Sequence, residues 1–506
     1  MTLLKGFHKL PRELRDQIYE EYFTLEGGYH YNHQTNKLLT EQGEAIHLGV
    51  RLASRQIAVE TRGLAFKLNP ISFSTVFDEN LRERAGHFDS LLKMISDLKS
   101  KYLVWRSSRS GLIDDGIRDY VEEHFPEFLP VVRTMQISHI NNSDSNSWKE
   151  SPSQSRRFIA STLKTIAKRP CFGEVIERHS YWTAPGSEPG PDPMAVISCE
   201  HSPWILPSKE AISTMRGSVA PFSVEVNRRR GSYWTRGKYR FSAATMAIVF
   251  LSSVPVKKRL DIRNIVLHED HTAVAWPECH GQGLITYCQE NSKLRIERRL
   301  DLWRACLPAA SSSLHSITHR TPELLRRYKY DRIAASDISR GHIGHGGVAD
   351  WIMETLELEN LGMPLNAFTL VIDGEAVPDG STQVFDVLQR DTAWQSAFQR
   401  CVIDSIDWPN SHLWLRCREN LAYVRRGFPE ALQAISDHES PVKCNFDTGL
   451  VRDVDQVVAL GRSWTSDEWL INWREIGDQA DIHTSAPLPS WLDLRREDLL
   501  EGESTN

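Results

Sequence analysis

The sequence predicts an α+β protein: a helix-rich, mixed α/β body preceded by a small helical module. Three observations carry this expectation. The chain has 506 residues, well beyond the roughly 250 to 300 at which a single hydrophobic core stops growing. Its 40% hydrophobic and 25% charged residues are ordinary globular usage, which sets aside wholesale disorder, fibrous repeats and a membrane-embedded bulk. From residue 240 onward, segments of helical repeat alternate with short β-branched runs, the pattern of a mixed α/β core.

The first element is a helix in which Leu10, Leu14, Ile18 and Tyr22 recur at four-residue spacing, with Tyr19 and Phe23 in the adjacent row. That spacing puts them on one face. Pro11 suits a first helical turn, and Gly27 with Gly28 marks the stop because glycine accepts left-handed backbone. Tyr29 to Glu44 reads as a polar stretch, and Ile46 to Phe66 as a second helical segment offering Leu48, Leu52, Ile57 and Leu64 to the first. Pro70 then discourages helix, so Ile71, Phe73 and Val76 read as a short strand. These elements form a module at residues 1–77.

A connecting region, 78–183, holds helical segments near 80–106 and 110–125 and a strand from Val131 to Ile140. It also holds a polar break at 141–155, whose Ser, Asn, Lys and Glu bury too little surface to offset chain ordering. A Pro- and Gly-rich stretch, 183–193, is a second break. The mixed α/β body spans 194–480. In it Ser242–Leu251, Gly283–Gln289, Val384–Ile403 and Ala431–Ser436 read as helices, and Ile262–Leu267, Leu294–Ile296, Phe368–Ile372 and Val442–Phe446 as strands. Residues 481–506 read as an acidic, partly disordered tail.

Charge and targeting signals narrow the partners. Lys plus Arg is 60 against 66 for Asp plus Glu, a net of −6, which offers no global attraction to nucleic acid or anionic lipid. Much of the imbalance lies between Arg474 and Asn506, with eight acidic and three basic residues. The eight cysteines form no C-x-x-C and no tight cluster, so a reducing compartment is the simpler reading. The N-terminus lacks the apolar core of about 7 to 15 residues that export needs. The most apolar run, Phe241 to Val256, has 16 residues and includes Pro255; spanning a bilayer takes about 20, so it reads as a buried helix. The expectation is an intracellular protein, cytoplasmic or nuclear, with no membrane partner.

Leu10, Pro11, Arg12, Glu13, Leu14, Arg15, Asp16, Gln17, Ile18 and Tyr19 resemble the opening of F-box-like domains of filamentous fungi, a Leu-Pro-x-Glu-Leu-x-x-x-Ile helix. Leu52 to Thr61 is similar to their Leu-x-x-Cys-Arg-Gln-Ile-x-x-Glu segment, with Ser54 where a cysteine is usual. Phe66 and Phe73 resemble their aromatic exit, and Gly27 to Glu44 is a long polar insertion in that pattern. The resemblance covers about the first 75 residues. Ile262 to Pro277 and Gln289 to Trp303 resemble, more faintly, stretches of large filamentous-fungal proteins without an assigned activity. F-box-like domains dock on the Skp-type adaptor of cullin ubiquitin ligases while the rest of the chain selects a target. The resemblance therefore implies a protein-binding set of Leu10, Pro11, Leu14, Ile18 and Tyr19, with Leu52 and Ile57 beneath.

No catalytic signature stands out, and no catalytic residue, metal ligand, cofactor or small-molecule ligand is predicted. The densest metal-capable group is His268, Glu269, Asp270 and His271 with Cys279 and His280. Its histidines stand three apart, whereas a zinc-binding helix needs them four apart on one face, and a solvated strand exit is the simpler reading. Arg228 to Arg240 carries six positive charges and three aromatics, a mixture able to track phosphates and stack bases; a cationic loop whose charges meet the acidic tail accounts for it equally, and nucleic-acid binding is disfavoured. Gly341 to Gly347 is glycine-rich ahead of a helix near Val348, which reads as a hinge. The leading expectation is a non-enzymatic interaction protein. The alternatives are an enzyme of unknown class with a site near His268–His280, or a nucleic-acid binder through Arg228–Arg240.

Overall fold

The computed structural model describes residues 7–137, 148–178, 191–220, 237–310, 338–339, 347–405, 423–477 and 481–500. Its centre is a seven-stranded sheet: β1 (Tyr29–Asn32), β2 (Lys37–Leu39), β3 (Ile71–Ser74), β4 (Asn264–Glu269), β5 (Arg295–Asp301), β6 (Phe368–Asp373) and β7 (Val442–Cys444). The order is β2-β1-β3-β4-β5-β6-β7. Only the β1/β2 hairpin is antiparallel; every other neighbouring pair is parallel. From β3 onward each new strand joins the edge its predecessor left open, so the helix-rich α+β class is observed.

Register explains the core. Ile71 pairs Ile265, Ile265 pairs Ile296, and Ile296 pairs Phe368, making one apolar row across four strands. The next inward row runs Phe73, Leu267, Arg298, Leu370, so a guanidinium stands where the two-residue period of a strand demands an apolar side chain. Arg298 is only 1% exposed.

The helices used below are α1 (Arg12–Phe23), α2 (Arg55–Glu60), α3 (Leu64–Leu68), α4 (Glu79–Lys101), α5 (Pro152–Ala167), α6 (Ala243–Ser253), α7 (Val348–Asn360), α8 (Pro378–Cys401), α9 (Phe428–Ser436), α10 (Val454–Gly461), α11 (Ser466–Gly477) and α12 (Trp491–Glu497). Most start as the sequence directs: Ser242, Ser151 and Asp78 accept backbone N–H bonds at the starts of α6, α5 and α4. One apolar core runs from Tyr29 to Leu494, and a second cluster of Trp394, Phe398, Trp469 and Trp473 joins α8 to α11.

Several expectations are corrected. The strand expected from Val131 to Ile140 is helix as far as it is described: Leu129–Ile137 is helical, because Phe128, Val131, Val132 and Met135, all buried, fall on one helix face, and residues 138–140 lie outside the described residues. The stretch Tyr29 to Glu44 contains the β1/β2 hairpin, which turns at Asn36 with φ 51°, and α1 stops at Phe23, ahead of Gly27 and Gly28. Residues 1–77 are not a free-standing module, since β1 and β3 extend the body's sheet. The polar break does not reach residue 155: α5 begins at Pro152, and Ser151, Ser153 and Ser155 are buried. Of the tail expected to be partly disordered, 481–500 is described and is anchored on the body through Ile482, Trp491 and Leu494, while residues 501–506 lie outside the described residues. Trp491 stacks on Trp303 at 5.6 Å and donates to the Ile482 carbonyl at 2.8 Å, while Asp498 pairs with Arg240 and accepts from Thr272.

Candidate functional site

Two places concentrate unspent chemistry: the outer face of α1, and a cleft at the carboxyl ends of β4 and β5.

On α1 the buried row is Arg15, Tyr19 and Phe23, one position round from the predicted stripe. Tyr19, Phe23 and Ile57 form a small core with Phe7, Leu64 and Leu68. Glu60 locks it. Its carboxylate takes two bonds from Arg15, at 3.1 and 2.7 Å, one from the Tyr19 hydroxyl at 2.7 Å and one from Gln56 at 2.9 Å. The Arg15 guanidinium is the main cause that holds the Glu60 carboxyl down at about 2, and burial, helped by Glu60, pushes the Tyr19 phenol up to about 12. This clamp rotates the apolar ridge outward. Leu14 is 45% and Ile18 46% exposed, with Tyr22 beside them. Pro11 is exposed and Leu10 half-buried. Ile57 and Tyr19 lie beneath, whereas Leu52 does not: it ends the short turn Gly49–Leu52 and is 90% exposed. Ser54, the departure from the F-box-like pattern, caps α2 by accepting from Ile57 N at 3.1 Å.

The cleft has a volume of about 340 Å3 and is walled by the chain that leaves β4, by the first turns of α5 and α7, and by Asp89 and Lys93 of α4. Its floor is Glu269, the last residue of β4. That carboxylate accepts from Ala243 N and Ala244 N, at 3.1 and 3.2 Å, and from Arg298 at 3.0 and 2.8 Å, so it caps the positive end of α6 and neutralises the guanidinium inside the sheet. Arg298 also lies 4.5 Å over the Trp351 ring. Two further pairs line the walls: Lys93 with Asp89 at 2.8 Å, and Arg425 with Asp350 at 2.9 and 2.8 Å.

The loop after β4 is strained. Ala275 and Trp276 both have positive φ, 66° and 58°, a region costly for side-chain-bearing residues. It is held open by Asp89, which accepts from Ala275 N at 2.9 Å, and by His280, whose Nε2 donates to the Ala275 carbonyl at 2.7 Å. The ring is neutral, because burial pushes its value down to about 3, and Nδ1 therefore accepts from the Ser242 hydroxyl at 2.7 Å. This Ser–His contact is no nucleophile pair, since both residues are sealed, at 0% and 1% exposure. Burial likewise raises the Cys279 and Cys288 thiols, which keeps them protonated and unreactive.

Arg156 and Glu278 differ from the rest. Arg156 lies 4.3 Å over the Trp276 ring and its Nη2 is buried without a hydrogen-bond partner. The Glu278 carboxyl is pushed up to about 7, chiefly by burial and against the pull of Arg156.

The predicted cluster at His268–His280 does not converge as a metal centre. Glu269 serves Arg298, His280 serves Ser242 and Ala275, and His271 faces Asp270 and Glu497; among the described residues no group of three or more metal-capable side chains is close enough to hold an ion. The expected solvated strand exit holds only in part: Asp270 and His271 are partly exposed, whereas Glu269 is buried at 1% exposure. Of the basic segment, residues 228–236 lie outside the described residues, and Arg240 is occupied by Asp498 and the Glu497 carbonyl. The glycine-rich run lies outside them too, except Gly347, which caps α7. Arg156, Trp276, Glu278, Asp350 and Arg425 were missed as a group. The one signal available was Arg298 at an inward strand position, which required a buried acid nearby.

No family model, curated protein or solved structure matches the chain. Fold and sites together define a helix-rich α+β protein with a mostly parallel sheet, a polar cleft at the carboxyl ends of two strands and an exposed apolar ridge. No helix among the described residues is long and apolar enough to cross a membrane.

Proposed function

We propose that the chain is a non-enzymatic interaction protein, an F-box-type subunit that docks a Skp-type adaptor through α1 while the larger body recruits a target. The observation that carries this reading is the outward set of the ridge: Leu14, Ile18 and Tyr22 are each close to half exposed on a helix clamped by Glu60. Apolar side chains aligned on one rigid face are what helix-mediated recognition uses. Pro11 and the half-buried Leu10 extend the ridge at its amino end, and Tyr19 and Ile57 support it from below. The sequence resemblance supplies the partner's class.

Burying a large apolar side chain is worth roughly 1.5 to 3 kcal/mol, so replacing two at the centre of an interface removes on the order of 3 to 6 kcal/mol, about a hundredfold or more in affinity. The test is co-purification with the fungal Skp-type adaptor, comparing wild type with a Leu14→Asp, Ile18→Asp double variant. Both positions are exposed, so the variant keeps its circular dichroism and melting temperature. Loss of adaptor from the variant alone supports the docking role; equal recovery from both removes it.

A further inference from the structure

We propose that the cleft at the carboxyl ends of β4 and β5 binds a small organic oxyanion, a carboxylate or phosphate on an apolar body, seated on the Arg156 guanidinium beside Glu278. The site is separate from the α1 ridge and stands or falls without the docking role.

Charge bookkeeping inside the cleft leads to the anion. Lys93, Arg425 and Arg298 each have a carboxylate within 3 Å, namely Asp89, Asp350 and Glu269. Arg156 has no bonded counterpart of this kind: its Nη2 is buried without a hydrogen-bond partner among the described residues, and Glu354, Glu278 and Asp350 act on it only through space. A buried guanidinium cannot discard its charge, because it stays protonated at any pH a protein tolerates. A buried carboxyl can, by taking up a proton. Of the groups left over, Arg156 is thus the fixed charge with an unmatched donor, and Glu278 and Glu354, each pushed up by burial, are the adjustable ones.

The surroundings fit an organic anion better than a bare one. Trp276 covers one face of the guanidinium and Nη2 is sealed, which leaves the remaining in-plane N–H donors as the route for an oxyanion. Pro152, Ala273, Pro277 and Ala305 add apolar wall. A volume of about 340 Å3 lies at the small end of ligand sites, the size of a monocyclic acid. Strain at Ala275 and Trp276 is what aims the indole over Arg156.

Glu278 makes binding depend on pH. The charged groups around it are Arg156 from α5, Glu354 and Asp350 from α7, and, on the cleft walls, Glu269 and Arg298 in the sheet, Arg425, His271, and Asp89 with Lys93. Glu354 is itself held by Ser153 N at 2.6 Å and Gln282 at 3.2 Å. Ionised Glu278 competes with the ligand for Arg156, and protonated Glu278 does not. With its value near 7, benzoate affinity falls about tenfold from pH 6 to pH 8.

The experiment titrates the full chain by calorimetry with benzoate, phenyl phosphate and neutral benzamide. Saturable binding of benzoate or phenyl phosphate, with benzamide inert, is the expected result, and the tighter of the two names the head group. Arg156→Gln weakens binding at least tenfold, and Arg156→Lys restores part of it. Glu278→Gln, nearly isosteric and therefore folded, binds benzoate equally at pH 6 and pH 8. The proposal is overturned if neither anion binds saturably at pH 6, if benzamide binds as well as benzoate, or if Glu278→Gln retains the wild-type pH dependence.

Discussion

The Glu269–Arg298 pair gives the sharpest physical test of the fold, because it places two full charges inside the sheet at 1% and 2% side-chain exposure. Removing one partner from such a pair leaves the other charge unmatched in a poor solvent for ions, which costs about 3 to 5 kcal/mol; replacing both by neutral groups is far cheaper. The two single variants are not equivalent. In Arg298→Met the Glu269 carboxylate keeps Ala243 N and Ala244 N at 3.1 and 3.2 Å and the positive end of α6, so the loss falls near the lower bound. In Glu269→Gln the guanidinium keeps only a neutral amide, the Pro277 carbonyl at 2.7 Å and the Trp351 ring at 4.5 Å, and the loss falls near the upper bound. The double variant restores neutrality and costs less than either single. The assay is urea unfolding followed by tryptophan fluorescence, with Trp351 directly under the pair. Additive losses within about 0.5 kcal/mol, as for sites that do not interact, would refute the reasoning, and so would two singles that each cost under about 1 kcal/mol.

Two further predictions concern the ends of the chain. The Arg15 clamp lowers Glu60 from an ordinary 4.5 to about 2, so its stabilisation is complete above about pH 4.5 and is lost as pH falls towards about 2; α1 should become sensitive to pepsin over that window in wild type, whereas Glu60→Gln is cleaved equally across it. Gly461, at the end of α10, lies against the Trp469 ring so closely that a Cβ would overlap it. Gly461→Ala should therefore destabilise the tryptophan cluster by about 1 to 3 kcal/mol, although alanine is worth about 1 kcal/mol more in a helix; an unchanged or raised midpoint by tryptophan fluorescence contradicts this.

Wherever one face of an element is apolar and its period is clean, the order of residues already shows it. The strands at Phe368 and Ile262 and the helix from Ser242 were legible to within a few residues, because burial of such a face dominates local preference. Failures came where two periods fit one run or where polar residues go inside. The run from Val131 to Ile140 suits a strand by its apolar content, but Phe128, Val131, Val132 and Met135 also share one helical face, and that face is the one buried. The break at 141–155 looked solvated because its composition is polar; Ser151, Ser153 and Ser155 are nonetheless buried, where Glu354 and Arg425, 200 or more residues away, take up the Ser153 N–H and the Glu150 carbonyl.

The same division holds for the sites. The amphipathic helix at residues 12–23 follows from spacing alone, but which of its two apolar rows faces outward was decided by the single carboxylate of Glu60, 45 positions from Arg15. The cleft is tertiary throughout: Arg156, Glu278 and Asp350 come together only because parallel strands must be joined by long crossovers, and those crossovers bring distant helix starts to the same end of the sheet. Local periodicity is a short-range property and can be read from neighbours; pairing of buried charges is settled by whichever segments the sheet topology makes adjacent, and no short-range pattern records that.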